Sequence, residues 1–232
     1  MKKDMLGSIV RAAVGVPQNR LEVLAKIASA IAEDNPNGNE WFSRFENLLK
    51  EELSSKTAVV FERNEYGHIV FTITGLDLTG AQEITRLTDA KYRIGDYAKQ
   101  MLTSTKPDGY DAKHRLVAGQ SYMIVLIPGK EIENDSGRTT ANLQKLGEKL
   151  GYDKPLAGIV QRIREAVSDK QMEEMGFWYI AGLHNPITGA DGRPGVLGAG
   201  RDDDGRWLFG YWGIPDGHWD GDGAFAFVLP AS

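Results

Sequence analysis

Residues 122–129 read YMIVLIPG, a short continuous apolar run that a Pro-Gly pair ends. Such a run predicts a buried strand rather than a helix. Residues 177–184 read FWYIAGLH and give a second strong strand signal. A helical pattern lies between them, at residues 155–167, with Ile159 and Ile163 on its apolar stripe. The sequence therefore predicts the α+β fold class.

Outward from these strands, the rest of the chain alternates between helical and strand patterns. Residues 17–55 predict a helical hairpin, residues 57–74 a β-hairpin, and residues 79–103 further helix. A Lys-Pro-Asp-Gly sequence then breaks the chain, so we expect a weak domain boundary there. The predicted division is residues 1–110, a helical part with a β-hairpin and no assigned role, and residues 111–232, an α+β module with a β-rich end.

The composition is that of an ordinary globular protein, with 41% hydrophobic and 25% charged residues over 232 positions. The formal net charge of −5 argues against a phosphate backbone as a partner, so no nucleic acid is expected. The cationic residues at 86–93 and 162–164 are instead expected on solvated helix faces. No cysteine is present, which excludes disulfides, thiolate metal sites and a cysteine nucleophile.

We expect no secretory or membrane segment in this sequence. Arg11 interrupts the first apolar run before it reaches the roughly 7–15 residues that a signal peptide needs. The longest strongly apolar stretch is far shorter than the ~20 residues of a membrane helix. The sequence therefore predicts a soluble, cytoplasmic protein without a membrane partner, and we assign it no cofactor.

The segment 201–223 has the most unusual composition in the chain. Six aspartates, six glycines and three tryptophans make up 15 of its 23 residues. Because aspartate and glycine disfavour both helix and strand, we expect a compact irregular surface. The tryptophans that would anchor this surface are Trp207, Trp212 and Trp219. Rigid aromatics beside small, adaptable residues are typical of binding surfaces, and the alternative is a glycine-rich turn region with core tryptophans.

The spacing RDDDGRWLFGYWGIPDGHWDGDGAFAF over residues 201–227 resembles the diversified ends of variable proteins from bacterial diversity-generating retroelements. The resemblance covers the last third of the chain, without the Gly-Gly-Ser-Trp and Gly-Phe-Arg signatures of the lectin pattern. It implies a C-type-lectin-like C-terminal module that binds a protein or carbohydrate ligand through residues that differ between copies. The positions that it assigns to ligand binding are Phe209, Tyr211, Gly213, Ile214, Asp216, Gly217, His218, Asp220 and Asp222.

The residue types at these positions agree with such a mechanism. Retroelements of this kind mutate adenines in a template, and the asparagine codon AAC is the usual target. Changing only the adenines of AAC yields, among others, Asp, Gly, His, Ile, Tyr and Phe, and the assigned positions contain no other residue type. The resemblance thus implies a non-enzymatic protein that displays a diversified surface.

Three other functions stay open from the sequence, and we assign no catalytic residue and no metal ligand. Calcium could bind at the Asp-Gly clusters of residues 202–205 and 220–223, although neither has the EF-hand spacing. An enzyme could use His184 with a downstream aspartate for acid–base catalysis, although no catalytic motif is present. A structural role, with a homo-oligomer formed through the helix of Trp41 and Phe45, is the third.

Overall fold

Residues 59–230, which the computed structural model describes, form a mixed sheet with helices on both faces. In chain order the strands are β1 (Glu62–Arg63), β2 (Ile69–Thr74), β3 (Arg93–Ile94), β4 (Ser121–Pro128), β5 (Tyr179–Gly182), β6 (Ile187–Thr188), β7 (Pro194–Asp202), β8 (Gly205–Trp212) and β9 (Gly223–Val228). The helices are α1 (Gly80–Asp89), α2 (Asp96–Leu102), α3 (Tyr110–Lys113), α4 (Thr140–Lys149), α5 (Gly158–Ala166) and α6 (Asp169–Glu174). This confirms the α+β class; the helical hairpin predicted at residues 17–55 lies outside the described residues.

The strands are ordered β1-β2-β4-β9-β5-β7-β8-β3, and β6 pairs with β7. The apolar run at residues 122–129 forms β4, which is antiparallel to both of its neighbours, β2 and β9. The run at residues 177–184 forms β5, which is parallel to β9 and antiparallel to β7. Both predicted strands therefore lie inside the sheet and not at its edge.

Strands from both sides of residue 110 belong to this one sheet. β2 pairs with β4, and β3 pairs with β8. In the part of the chain that the structure describes, the division predicted at residues 110 and 111 thus does not separate two sheets.

Successive strand residues point to opposite faces of the sheet, and each face has its own apolar cluster. One cluster includes Ile124 of β4 and Ile180 of β5, and α1, α2, α5 and α6 pack against it; we call this side the helix face. The other includes Val125 of β4 and Phe225 of β9, and is covered by α4 and by the β8–β9 loop, residues 213–222. We call this second side the groove face.

The helix predicted over residues 79–103 is in fact two helices, α1 and α2, separated by β3. Lys91 has a left-handed backbone conformation with φ 66°, and the amide of Tyr92 donates back to the carbonyl of Leu87. A left-handed residue cannot continue a right-handed helix, so the chain leaves α1 at this point. Arg93 and Ile94 then form β3 and pair with β8. This partner is distant in the sequence, so local periodicity does not reveal it.

The expectation of an irregular surface over residues 201–223 is wrong for its first half. Residues 205–212 form β8, an eight-residue strand that pairs along its whole length with β7. Two aspartates, Asp203 and Asp204, make the hairpin turn between them. Only the following β8–β9 loop has the irregular structure that the composition predicts.

The arginines of α5 also lie elsewhere than predicted. Arg162 and Arg164 are buried, not solvated. Arg162 pairs with Glu83 of α1 at 2.6 Å, and Arg164 pairs with Asp169 of α6. These ion pairs join α5 to its neighbouring helices, because a buried charge is tolerated only when it is paired.

Candidate functional site

Three aromatic side chains follow one another on the groove face of β8: Trp207, Phe209 and Tyr211. Ring centroids lie 5.1 Å apart for the first pair and 6.1 Å apart for the second. The residues of β7 that face Trp207 and Phe209 are Gly200 and Gly198. A Cβ at Gly200 would come within 2.5 Å of the Phe209 ring, and one at Gly198 would overlap Tyr211. The two glycines thus leave room for rings that lie flat over β7.

Tyr211, the last residue of this aromatic row, also lines an open groove of about 310 Å³. Its floor consists of three rings, Tyr179, Tyr211 and Trp219, whose centroids lie 5.4 to 5.9 Å from one another. The remaining lining residues are Trp212, Ile214, Gly217, His218 and Asp220. The site is therefore an aromatic depression with mixed polar and apolar side chains at its rim.

The N-terminus of α4 holds the β8–β9 loop in place. The amides of Thr140 and Ala141 donate to the carbonyls of Gly217 at 3.1 Å and Pro215 at 2.8 Å. Amides in the first turn of a helix have no partner within the helix, so these bonds satisfy them. Trp219 adds a side-chain contact, because its indole N–H donates to the Thr140 hydroxyl at 3.0 Å.

The positions that the resemblance assigns to ligand binding divide into two groups. Those that line the groove are Tyr211, Ile214, Gly217, His218 and Asp220. Asp216 is exposed on the same loop, and Asp222 is half-buried at its end. Phe209 is half-buried further along β8, and Gly213 is buried. The groove therefore brings together most of the assigned positions of the β8–β9 loop.

The three tryptophans predicted as anchors differ in exposure. Trp219 is 8% exposed and forms part of the floor, and Trp207 is half-buried. Trp212 is 51% exposed, with the Arg193 guanidinium 4.8 Å from its ring centroid and the Tyr97 ring at 6.4 Å. Trp219 thus fixes the loop, whereas Trp212 presents an aromatic surface to solvent.

The surroundings of the groove are acidic. Asp216, Asp220 and Asp222 form no ion pair with any lysine or arginine in the described part of the chain. A nearby cation, Arg138, donates to a carbonyl of the β8–β9 loop at 3.1 Å and pairs with Asp135. The three loop carboxylates outnumber this one cation, so the surroundings of the groove carry a net negative charge.

These carboxylates affect the pKa values of the groove tyrosines. Burial raises the pKa of the Tyr179 hydroxyl, and the charges of Asp220 and Asp222 raise it further. Burial also raises the pKa of Tyr211. Both phenols therefore stay protonated at neutral pH, and the Tyr179 hydroxyl donates to the Asp220 carbonyl at 3.0 Å. The chemistry available at the groove is aromatic faces and carboxylate oxygens.

Sequence reasoning did not find Tyr179 as a groove residue. It lies on β5, and its ring packs over Gly223 of β9, where a Cβ would overlap it. Only the pairing order of the sheet places this ring beside Tyr211. The run at residues 177–184 signals a strand, but no local pattern says which strand will lie next to it.

His184, the residue of the enzyme alternative, is fully buried. Its Nε2 accepts a hydrogen bond from the Leu197 amide at 2.9 Å, and its Nδ1 donates to the Asn185 carbonyl at 2.7 Å. Burial, and then the neighbouring His114, lowers its pKa to about 3. A neutral imidazole with both nitrogens engaged is placed to hold the structure together and does not face a substrate.

The two Asp-Gly clusters of the calcium alternative both border strands of the sheet. In the first cluster, residues 202–205, Asp204 accepts from the Trp207 indole N–H at 2.8 Å and pairs with Arg93. The second cluster, residues 220–223, leads from the β8–β9 loop into β9. Within the described residues, no group of three His, Asp or Glu side chains is arranged to hold a metal ion.

In comparisons with protein-family models, with curated proteins and with solved structures, nothing matches this chain. The C-type-lectin-like relation of the C-terminal module therefore stays a prediction from the residue pattern. None of the helices between residues 59 and 230 is long and apolar enough to cross a bilayer.

Proposed function

We propose that this protein is a non-enzymatic binding protein that takes a protein or carbohydrate ligand in the groove beside the β8–β9 loop. One observation carries the proposal. Five positions that the residue pattern assigns to ligand binding line one open groove: Tyr211, Ile214, Gly217, His218 and Asp220. The sequence pattern and the open groove thus both support this surface as the binding site.

The chemistry of the groove supports binding. Aromatic rings supply large, rigid contact area, and they dominate the energetics of most recognition surfaces. Trp212 and Ile214, which are 51% and 38% exposed, extend this apolar surface to the rim. A volume of about 310 Å³ is at the low end for an enclosed ligand site, so an open groove of this size suits one protruding group of a larger ligand.

The proposal includes a cytoplasmic bacterial protein whose β8–β9 loop is diversified, as in the retroelement proteins that it resembles. The adenine-accessible residue types at the assigned positions support this point. The DNA that flanks the gene tests it directly. A near-copy of the last part of the gene that differs mainly at adenines, beside a reverse-transcriptase gene, is the expected finding. Absence of both from the flanking DNA would remove diversification from the proposal.

Binding itself is tested with a glycan array and a displayed library of random peptides, each screened against the full chain. The groove variant combines Ile214→Ala, His218→Ala and Asp220→Ala, all at exposed positions. The control variant changes exposed residues away from the groove: Thr72→Ala, Asp89→Ala and Val117→Ala. We expect ligands that bind the full chain and the control variant and lose affinity for the groove variant. Ligands that bind all three proteins equally, or no ligand in either screen, would contradict the proposal.

A further inference from the structure

Arginines lie over three tryptophans at the surface of the part of the chain that the structure describes. Their guanidinium carbons lie 5.4, 4.8 and 4.1 Å from the ring centroids in the pairs Arg93 with Trp207, Arg193 with Trp212, and Arg201 with Trp178. A cation over an aromatic face is attracted by the negative potential of the ring. The chain thus repeatedly stabilises its own half-exposed rings with guanidinium groups.

The rings of the groove floor differ from these tryptophans. Among the described residues, no arginine or lysine lies over Tyr179, Tyr211 or Trp219. The acidic residues that act on these rings, Asp220 and Asp222, have no cationic partner in the described part of the chain either. In the described part of the chain, the three floor rings therefore have no cation over their faces and the two carboxylates have no ion-pair partner. The cations nearest to them are Arg193, which lies over Trp212 at the rim, and Arg138, whose charge acts on Tyr179.

We propose that the groove binds a protein segment through a lysine or arginine side chain, which lies over the groove tyrosines and pairs with the carboxylates of Asp220 and Asp222. The inference rests on the proposed function, since it names the class of ligand for the same groove. The charge complementarity supports this site: the loop carboxylates have no ion-pair partner within residues 59–230, and they outnumber the one nearby guanidinium, Arg138, which pairs with Asp135.

A carbohydrate fits these observations less well. The Tyr179 and Tyr211 rings are inclined by 42° to each other, and Trp219 is inclined by 63° to Tyr211. The three rings therefore do not form a flat platform on which a sugar ring could stack. A neutral sugar would also leave the negative charge of the carboxylates uncompensated, which a cationic side chain would neutralise.

The test is a selection from a displayed library of random peptides on the full chain, repeated on Asp220→Asn/Asp222→Asn. These changes keep side-chain shape and remove two charges. The matched control is Asp89→Asn/Asp203→Asn, which removes two charges from exposed aspartates elsewhere. We expect lysine and arginine to be enriched in peptides recovered on the full chain and on the control. We expect their affinity for the groove variant to fall about tenfold, and binding to weaken with added salt.

The other outcomes separate this inference from the proposed function. Groove-dependent peptides without enrichment of lysine or arginine would overturn the inference and leave the proposed function standing. Groove-dependent binding of glycans alone would do the same. Absence of any groove-dependent peptide or glycan would overturn both. An equal loss of affinity in the groove and control variants would show a general effect of net charge and would also overturn the inference.

Discussion

The two faces of the sheet use charged side chains in opposite ways. On the helix face, Arg162 and Arg164 are buried and paired with carboxylates of neighbouring helices. On the groove face, Asp216 and Asp220 are exposed, and neither has an ion-pair partner among the described residues. A buried charge must be paired to be tolerated, whereas an exposed carboxylate is solvated and adds little to stability.

The apolar side chains of the two faces differ in how completely they are covered. Aliphatic residues of the helix face are covered by four helices, while the aromatic row on β8 is only partly covered. Residues under full cover contribute most to the free energy of folding, and half-exposed aromatics are available for contact with a ligand. Each face thus has a buried apolar cluster that stabilises the fold, and we expect ligand contacts at the partly covered aromatic row and the exposed carboxylates of the groove face. The predictions below test this difference between the faces.

The largest effect is expected from Ile163→Ala on the helix face. Ile163 of α5 is fully buried in the apolar cluster of that face. Removal of its side chain leaves a cavity, so we expect the free energy of unfolding to fall by about 2–5 kcal/mol. Urea denaturation measures the loss. Ligand affinity of the remaining folded protein should be unchanged; a loss of affinity as large as that of a groove variant would break the separation between the faces.

The second prediction concerns pH and the buried His184. Its folded-state pKa, about 3, lies below the ordinary value of 6.5, so the unfolded chain binds more protons between these pH values. Acidification therefore favours unfolding, and stability present above pH 6.5 is lost as the pH falls toward 3. Relative to His184→Gln, the free energy of unfolding of the unmodified chain should fall by about 1.4 kcal/mol for each pH unit below about 6.

The control for this pH effect is an exposed position of the sheet that does not titrate. Thr72→Ala should keep the pH dependence of the unmodified chain, because it changes no titratable group. Urea midpoints between pH 7 and pH 5 measure both variants. An identical pH dependence in His184→Gln and the unmodified chain would contradict the assignment to His184.

The third prediction concerns the glycines under the aromatic row. In Gly200→Ala the new Cβ would lie 2.5 Å from the Phe209 ring, so the ring must move. We expect a loss of about 1–3 kcal/mol in urea denaturation. Gly221→Ala is the matched control on the same face, where the nearest atom lies 3.5 Å from the new Cβ, an ordinary contact. Equal losses in the two variants would mean that the close approach over β7 is not what requires glycine.

The smallest effect on stability is expected from Ile214→Ala, the counterpart of Ile163→Ala on the groove face. Ile214 is 38% exposed on the β8–β9 loop. Its removal should change the free energy of unfolding by less than about 0.5 kcal/mol. Ligand affinity should nevertheless fall, because Ile214 lines the groove. A stability loss close to that of Ile163→Ala would show that the loop belongs to the core.

Much of the fold follows from local patterns in the sequence. The apolar runs predict β4 and β5, and the helical pattern at residues 155–167 predicts α5. The strand β8 is not predicted, because its glycines and the aspartates on either side of it oppose a strand locally. It forms because β7 places Gly198 and Gly200 opposite its aromatic rings. Such cross-strand packing depends on residues that the local composition of β8 does not contain.

The candidate site can likewise be predicted only where it depends on local sequence. Composition and spacing direct attention to the segment that contains His218 and Asp220, and both residues line the groove. The floor cannot be predicted in this way, because Tyr179 comes from a strand more than 30 positions earlier and reaches Tyr211 only through the order of the sheet. The burial of Gly213 is likewise a result of packing, since Pro186 lies 3.1 Å from the position of its missing Cβ.

The hold of α4 on the β8–β9 loop has a consequence for evolution. The bonds run from helix amides to the main-chain carbonyls of Pro215 and Gly217, and the Trp219 amide donates to the carbonyl of Arg138. A carbonyl oxygen is the same in every amino acid, so these bonds do not depend on the side chains between them. We therefore expect exchanges at Asp216 and His218, which are both exposed, to cost little folding free energy. The main-chain bonds would then preserve the path of the loop while its exposed side chains change.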